Sequence, residues 1–201
     1  MDILVDYKVG NCRSVLNLFD RLGRPLTLSA DPKHIAKADL LVLPGQGAFD
    51  TGMRELFATG LTDAIKRHVL AEKPFLGICL GFQLLFESSP ENGGACGMGI
   101  FPGVFAKFDD THVKVPHMGW NQLHIRQDTN TLYAQQDPSV YFVHSYYLPD
   151  TAAPWVSAVT TYDVPFVSAI QTTRLFGAQF HPEKSGAVGV GMIEKFVKGL
   201  R

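Results

Sequence analysis

The chain has 201 residues, 46% hydrophobic and 18% charged, and its 18 basic and 19 acidic side chains nearly cancel. That balance suits one globular domain over residues 1–201 with a sizeable core, and it excludes the basic stripe of a nucleic-acid binder. The longest apolar runs, such as LLVLPG at 40–45, are far too short to span a membrane, and the opening MDILVDYKVGN lacks the basic region of a secretory signal.

In chain order, DILVDY at 2–7 reads as a buried strand. The following NCRSVLNLFDRLG at 11–23 sets Val15, Leu18, Phe19 and Leu22 in helical register and stops at Gly23. RPLTLS at 24–29 is strand-like, and DPKHIAKA opens a helix with Asp31 as N-cap and Pro32 in its first turn. DLLVLPG at 39–45 is a third strand that ends in a glycine-rich turn. Residues 50–72 are helical with a break near Gly60, PFLGI at 74–78 is a fourth strand, and LGFQLLFES begins the next helix. This alternation predicts a mostly parallel sheet with helices on both faces. From Gly103 to Gln179 the chain turns β-rich: GVFAKF, HVKVP, VYFVHSYY, WVSAVTTY, FVSAIQ and LFGAQF read as antiparallel strands added to the sheet. A last helix over 189–200 carries Met192, Ile193, Phe196 and Val197 on one face.

The three cysteines, Cys12, Cys79 and Cys96, neither pair evenly nor match a zinc spacing, so a reduced, cytoplasmic chain without metal or cofactor is expected. Cys79 stands apart. It sits in strand, G-x-C-x-G, helix order, which is the nucleophile-elbow arrangement with sulfur in place of oxygen. The sharp turn exposes the side chain, the helix N-terminus offers free amides and a positive dipole, and Gly77 and Gly81 are expected to leave room for a substrate. A small buried hydrophobe is the competing reading of Cys79, as it is of Cys12 and Cys96.

A thiol nucleophile needs a base and an orienting group. GAQFHPEKS at 177–185 offers both: His181 ends an apolar strand, and Glu183 two residues on is expected to point to the same side of an extended backbone. His34, His68, His112, His117, His124 and His144 have no comparable partner in sequence, although His117 and His144 lie among aromatic residues. At the end of the third strand, LPGQGAF at 43–49 exposes backbone N–H groups that could hold an oxyanion near the thiol. Such a turn could also bind phosphate, but G-x-G without a third glycine is a weak dinucleotide signal, and no G-x-x-x-x-G-K follows.

GICLGFQLL, FHPE and PGQGAF in this order resemble the nucleophile motif, the His–Glu pair and the oxyanion strand of class I glutamine amidotransferases. VPHMGWN, YFVHSYY and QFHPEKS narrow the resemblance to the glutaminase subunits of imidazole glycerol phosphate synthases. DYKVGN resembles their opening turn, with Lys8 where a glycine is usual, and Gln46 stands where valine is frequent. The resemblance implies a flavodoxin-like α/β fold and catalysis by Cys79, His181 and Glu183. It implies an oxyanion hole from the backbone of Leu80 and of Gln46–Gly47. It assigns L-glutamine binding to Gln83, Glu91, Ser145 and Tyr146. It also implies a heterodimer with a separate (βα)8-barrel synthase subunit, contacted by Asn11, Met118, Trp120, Tyr141 and Lys184. A barrel of that kind needs ~250 residues, more than this chain can hold beside its own fold. A paralogous glutaminase that feeds another synthase stays open on these residues alone.

Overall fold

The computed structural model describes residues 1–10, 12–126, 132–133 and 136–200. Its first half alternates β1 (Asp2–Val5), α1 (Cys12–Arg21), β2 (Thr27–Ser29), α2 (Pro32–Ala36), β3 (Leu40–Leu43), α3 (Phe49–Ala58), α4 (Leu61–Leu70), β4 (Phe75–Ile78) and a single turn, α5 (Leu80–Gln83). Asp31 caps α2 by accepting the Lys33 N–H at 2.8 Å. Gly60 takes a left-handed conformation between α3 and α4, which is the expected break. The second half contains β5 (Ser88–Ser89), β6 (Ala95–Cys96), β7 (Ala106–Lys107), β8 (His117–Gln122), β9 (His124–Ile125), β10 (Ser139–His144), β11 (Tyr146–Tyr147), β12 (Val156–Tyr162), β13 (Val164–Gln171), β14 (Leu175–Ala178) and α6 (Gly186–Gly199).

Among the described residues, eight strands form one sheet in the order β2-β1-β3-β4-β14-β13-β12-β9. The first five of these run parallel, and β13, β12 and β9 extend the sheet antiparallel. The mostly parallel sheet with antiparallel additions is therefore as the sequence implied, with three corrections. β14 is parallel to β4 rather than one more antiparallel strand; its LFGA run is buried throughout, as befits a central strand covered on both faces. β8 with β10, and β7 with β11, form separate two-stranded ribbons. β10 alternates buried and more exposed residues, so the ribbon lays one face against the domain instead of lengthening the sheet. HVKVP forms no strand, because the His112 and Val113 N–H groups fold back onto the Asp109 carbonyl and Pro116 follows.

Two apolar layers cover the sheet. Ile3, Val5, Leu41, Leu43 and Phe75 point into one with Leu56, Leu61 and Ile65 of α3 and α4. Leu4, Leu40, Val42 and Leu76 point into the other with Val15, Leu18 and Phe19 of α1 and Met192, Ile193 and Phe196 of α6. Each fully buried aliphatic or aromatic side chain contributes roughly 1.5–3 kcal/mol relative to exposure. The carboxyl ends of β3, β4 and β14 converge at one edge, where open α/β sheets place their ligands.

Candidate active site

Cys79 lies at the β4–α5 joint with φ 50° and ψ −107°, a conformation rare for any residue with a Cβ. The bend is held from both sides. The Cys79 N–H donates to Ala178 O at 2.7 Å, and its carbonyl accepts from the Phe82 and Gln83 N–H groups at 3.0 Å each. Strain that is over-determined in this way marks functional positions. The helix that follows is only the four-residue α5, so free amides at its start matter more here than a long helix dipole. Leu80 opens that turn and has no helical carbonyl four residues behind it.

The glycines beside Cys79 do not serve the purpose expected of them. A Cβ on Gly81 would collide with the Leu43 carbonyl of β3, and one on Gly77 would lie 3.0 Å from Gly81 O. They let the elbow pack onto the neighbouring strand and onto itself, rather than leave space for a substrate.

His181 Nδ1 and Glu183 Oε1 are 2.8 Å apart, and both side chains are nearly inaccessible, at 3% and 4%. The pair meets differently from the expectation. His181 is extended, but Glu183 lies in a 3-10 turn over Pro182–Lys184 that carries its carboxylate back under the ring. Burial disfavours the imidazolium, yet the negative charge of a Cys79 thiolate and the Glu183 carboxylate outweigh it and hold the His181 pKa up at about 10. The remaining His181 nitrogen, Nε2, is buried without a normal hydrogen bond among the described residues. Catalytic contacts of this kind are often long in a free enzyme and tighten when a substrate arrives.

A cavity of about 230 Å³ opens on Cys79. Its walls bring together Gln46, Gly47, Gln83, Glu91, Ser145 and Tyr146, residues drawn from four separate stretches of chain. Glu91 has a second function that its loop position hid. Its Oε2 accepts the Phe49 N–H at 2.8 Å, so it caps α3, whose N-cap Ala48 has no polar side chain. Burial raises the Glu91 pKa, and the Phe49 hydrogen bond opposes that shift. Gln83 Nε2 donates to Gln179 Oε1 at 3.0 Å, and Gln179 Nε2 faces Cys79 Sγ at 3.8 Å. The thiol and the Gln46–Gly47 turn line one small cavity, and the His181–Glu183 pair lines the adjoining recess that shares Gln46; together they are the equipment for acyl transfer at an amide carbon.

The sequence matches the family described as glutamine amidotransferase class-I over residues 3–199. The chain belongs to that family. It is 47% identical to the imidazole glycerol phosphate synthase subunit HisH of Streptococcus sanguinis over 197 residues, covering 98% of this chain and 95% of that one. It is 41% identical to the subunit of the same name from Methanothermobacter thermautotrophicus over 201 residues, covering both chains completely. It is 42% identical to imidazole glycerol phosphate synthase hisHF, chloroplastic, of Arabidopsis thaliana, where the match covers 96% of this chain and 33% of the longer protein. A solved structure titled as a glutamine amidotransferase superposes with a TM-score of 0.74 at 14% identity over 98% of each chain. The structure of PurLQS from Thermotoga maritima gives 0.74 at 18% identity over the full length of both. These two show the fold.

Other parts of this class I amidotransferase were not singled out from sequence. Gln179 is fully buried between the thiol and Gln83, and its only signal was a polar residue inside the apolar run LFGAQF. Tyr7 is buried and donates to Pro44 O at 2.7 Å, which pins the strand end before the Gln46–Gly47 turn. Gly45 is wedged there between the Tyr7 hydroxyl and Leu80, with no room for a Cβ. Pro116, Val143 and His144 complete the cavity wall.

Of the residues assigned to a partner surface, Met118 and Trp120 are 60% and 59% exposed, two apolar side chains close together on one surface. They project from one face of β8 while His117 turns inward. Tyr141 is half-buried, with its ring 6.2 Å from that of Trp120. Its carbonyl accepts the His181 N–H at 2.9 Å, so this patch adjoins the acid–base loop that also carries Lys184. Asn11 lies outside the described residues. Among the described residues, no helix is long and apolar enough to cross a membrane, and no group of three or more His, Cys, Asp or Glu side chains could hold a metal ion.

Proposed function

We propose that this chain is the glutaminase subunit of an imidazole glycerol phosphate synthase, acting in histidine biosynthesis. It hydrolyses L-glutamine to L-glutamate and ammonia and passes the ammonia to a separate (βα)8-barrel synthase subunit in a heterodimer. The single observation that carries the chemistry is Cys79 in a strained elbow, facing a 230 Å³ polar cavity, with the His181–Glu183 pair behind it. The near-full-length likeness to HisH subunits supports the choice of partner.

The residues take these parts. The Cys79 thiolate attacks the side-chain amide carbon, and the carbonyl π electrons move to oxygen. The N–H groups of Leu80 and the Gln46–Gly47 turn receive that oxyanion; each such donor is worth about 10²–10³-fold in rate. The His181 imidazolium gives its proton to the departing nitrogen, which leaves as ammonia, and a thioester remains. Neutral His181 then takes a proton from water, the hydroxide attacks the thioester, and glutamate leaves as Cys79 is regenerated. Glu183 orients the ring and stabilises its charged form. Gln83 and Glu91 hold the ammonium end of the substrate, and Ser145 and Tyr146 its carboxylate. The exposed Met118 and Trp120, with Tyr141 and Lys184, meet the barrel subunit.

The test is the rate of glutamine hydrolysis by the chain alone and with its barrel synthase loaded with that subunit's nucleotide substrate. Hydrolysis by the complex is expected to exceed that of the chain alone; equal rates would contradict the subunit assignment. Glu183→Gln is expected to lower kcat by about 10²–10⁴-fold. It also removes a group that raises the His181 pKa. His181 is charged below its pKa, so that loss moves the alkaline limb of the pH–rate profile to lower pH. A limb unmoved by the substitution would show that Glu183 does not act on His181.

A further inference from the structure

His117 and His144 are buried side by side at the back of the cavity, and the mechanism above uses neither. Their hydrogen bonds run in one direction only. His144 Nδ1 lies 2.9 Å from Tyr146 O, and a carbonyl can only accept, so that nitrogen carries the proton. His144 Nε2 is then an acceptor, and His117 Nδ1 at 3.0 Å must donate to it. His117 Nε2 in turn accepts from Asn121 Nδ2 at 3.3 Å. The amide of Asn121 is fixed as well, because Nδ2 also donates to Thr161 O at 3.1 Å and Oδ1 accepts the Gln122 N–H at 2.8 Å. One pair of tautomers satisfies every group in the chain.

We propose that His117 and His144 form a relay that positions the Ser145–Tyr146 wall of the cavity, and that both are positioning residues for glutamine binding. The inference rests on the reading of this cavity as the glutamine site. Three further observations support it. First, the relay spans four elements: it begins on β8, crosses β10, ends on β11 and is tied to β12 through Thr161. Second, Phe108 N–H donates to Ser145 O at 3.1 Å from the opposite side, so the wall is clamped between β7 and the histidines. Third, the rings are packed too tightly to rotate freely. His117 stacks on Tyr162 and Phe142 at centroid distances of 4.0 and 4.9 Å, and Phe108 meets the His144 ring edge-on at 5.4 Å. Burial keeps both rings neutral, with the pKa of His117 pushed down to about 4 and that of His144 to about 3. The His117 and His181 charges would add to that effect on His144, and its bond to Tyr146 opposes it.

The direct experiment is histidine ¹⁵N NMR of the wild-type chain at pH 7. Both rings are expected neutral with the proton on Nδ1, the less common tautomer in free histidine. A proton on Nε2 of either ring, or a charged ring, would overturn the relay. Glutamine kinetics of the complex with the barrel synthase then read its purpose. His144→Phe removes the donor to Tyr146 O and is expected to raise KM about tenfold while kcat stays within about threefold. His144→Asn places an N–H near the original Nδ1 and should recover most of that loss, whereas a purely steric role would favour the aromatic substitute. An unchanged KM in His144→Phe, or no recovery in His144→Asn, would contradict the positioning role. If the wild-type complex hydrolyses no glutamine, the assignment of the cavity falls, and with it the substrate named for this wall, whatever tautomers the NMR finds.

Discussion

Cys79→Ala is expected to abolish glutamine hydrolysis, by at least about 10³-fold, and to leave ammonia-dependent synthesis by the complex intact. The size of the effect follows from the site. Among the described residues Cys79 is the only nucleophilic thiol that opens on the cavity of Gln46, Gln83, Glu91, Ser145 and Tyr146. Cys96 is exposed and Cys12 sits on α1, so neither substitutes for it. Without sulfur there is no thioester, and His181 and the free amides have no acyl group to act on. The fold should survive, since alanine removes one partly satisfied thiol at a position whose backbone is tied by three hydrogen bonds. Ammonium salt supplied in excess bypasses the missing step, so the partner's turnover on ammonia reports that the complex still assembles. Residual glutaminase activity near wild type would refute the assignment of the nucleophile.

Gly81→Ala is expected to be the most destabilising single-methyl substitution in the elbow. Its Cβ would overlap the Leu43 carbonyl, which belongs to the β3 strand paired with β4 in the centre of the sheet. Neither side can give easily, because the obstacle is backbone and not a flexible side-chain end. Overpacking costs roughly 1–3 kcal/mol, and a rigid backbone obstacle puts this case at the top of that range. For a domain of this size, about 3 kcal/mol corresponds to a fall in Tm of about 6–12 °C. Glutaminase activity should fall with it, since any shift of α5 moves the Leu80 amide and the Cys79 side chain. Gly191→Ala in α6 is the control: nothing lies within 4 Å of its Cβ, and the change is expected to stabilise by about 0.4–1 kcal/mol. Equal Tm values for the two variants would show that the Gly81 contact is not a real constraint.

The contrast between those glycines shows where sequence reasoning succeeded and where it stopped. The G-x-C-x-G pattern located the elbow correctly, because a strand that turns sharply into a helix needs small residues at fixed offsets. It could not say what the glycines avoid, since Leu43 is 38 positions from Gly81 in the chain. The His181–Glu183 pair was legible because both members lie within one short motif, although the 3-10 turn that joins them was not. The parallel half of the sheet followed from local periodicity. The separate β8–β10 ribbon did not, because strand pairing depends on which face is buried, and VYFVHSYY does not announce that. Gln179, Tyr7 and the His117–His144 pair stayed hidden for the same reason: each acts through a partner far away in sequence, at Cys79, Pro44, Tyr146 or Asn121.

The central claim is that ammonia made at Cys79 goes directly to the barrel subunit. It is tested most directly by supplying the complex with glutamine labelled with ¹⁵N at the side-chain amide, in the presence of excess unlabelled ammonium, and measuring the isotope in the imidazole product. Direct transfer predicts a product that keeps the label of the glutamine amide. A product whose nitrogen matches the unlabelled ammonium in solution, or glutamine hydrolysis that proceeds without any labelled product, would contradict it.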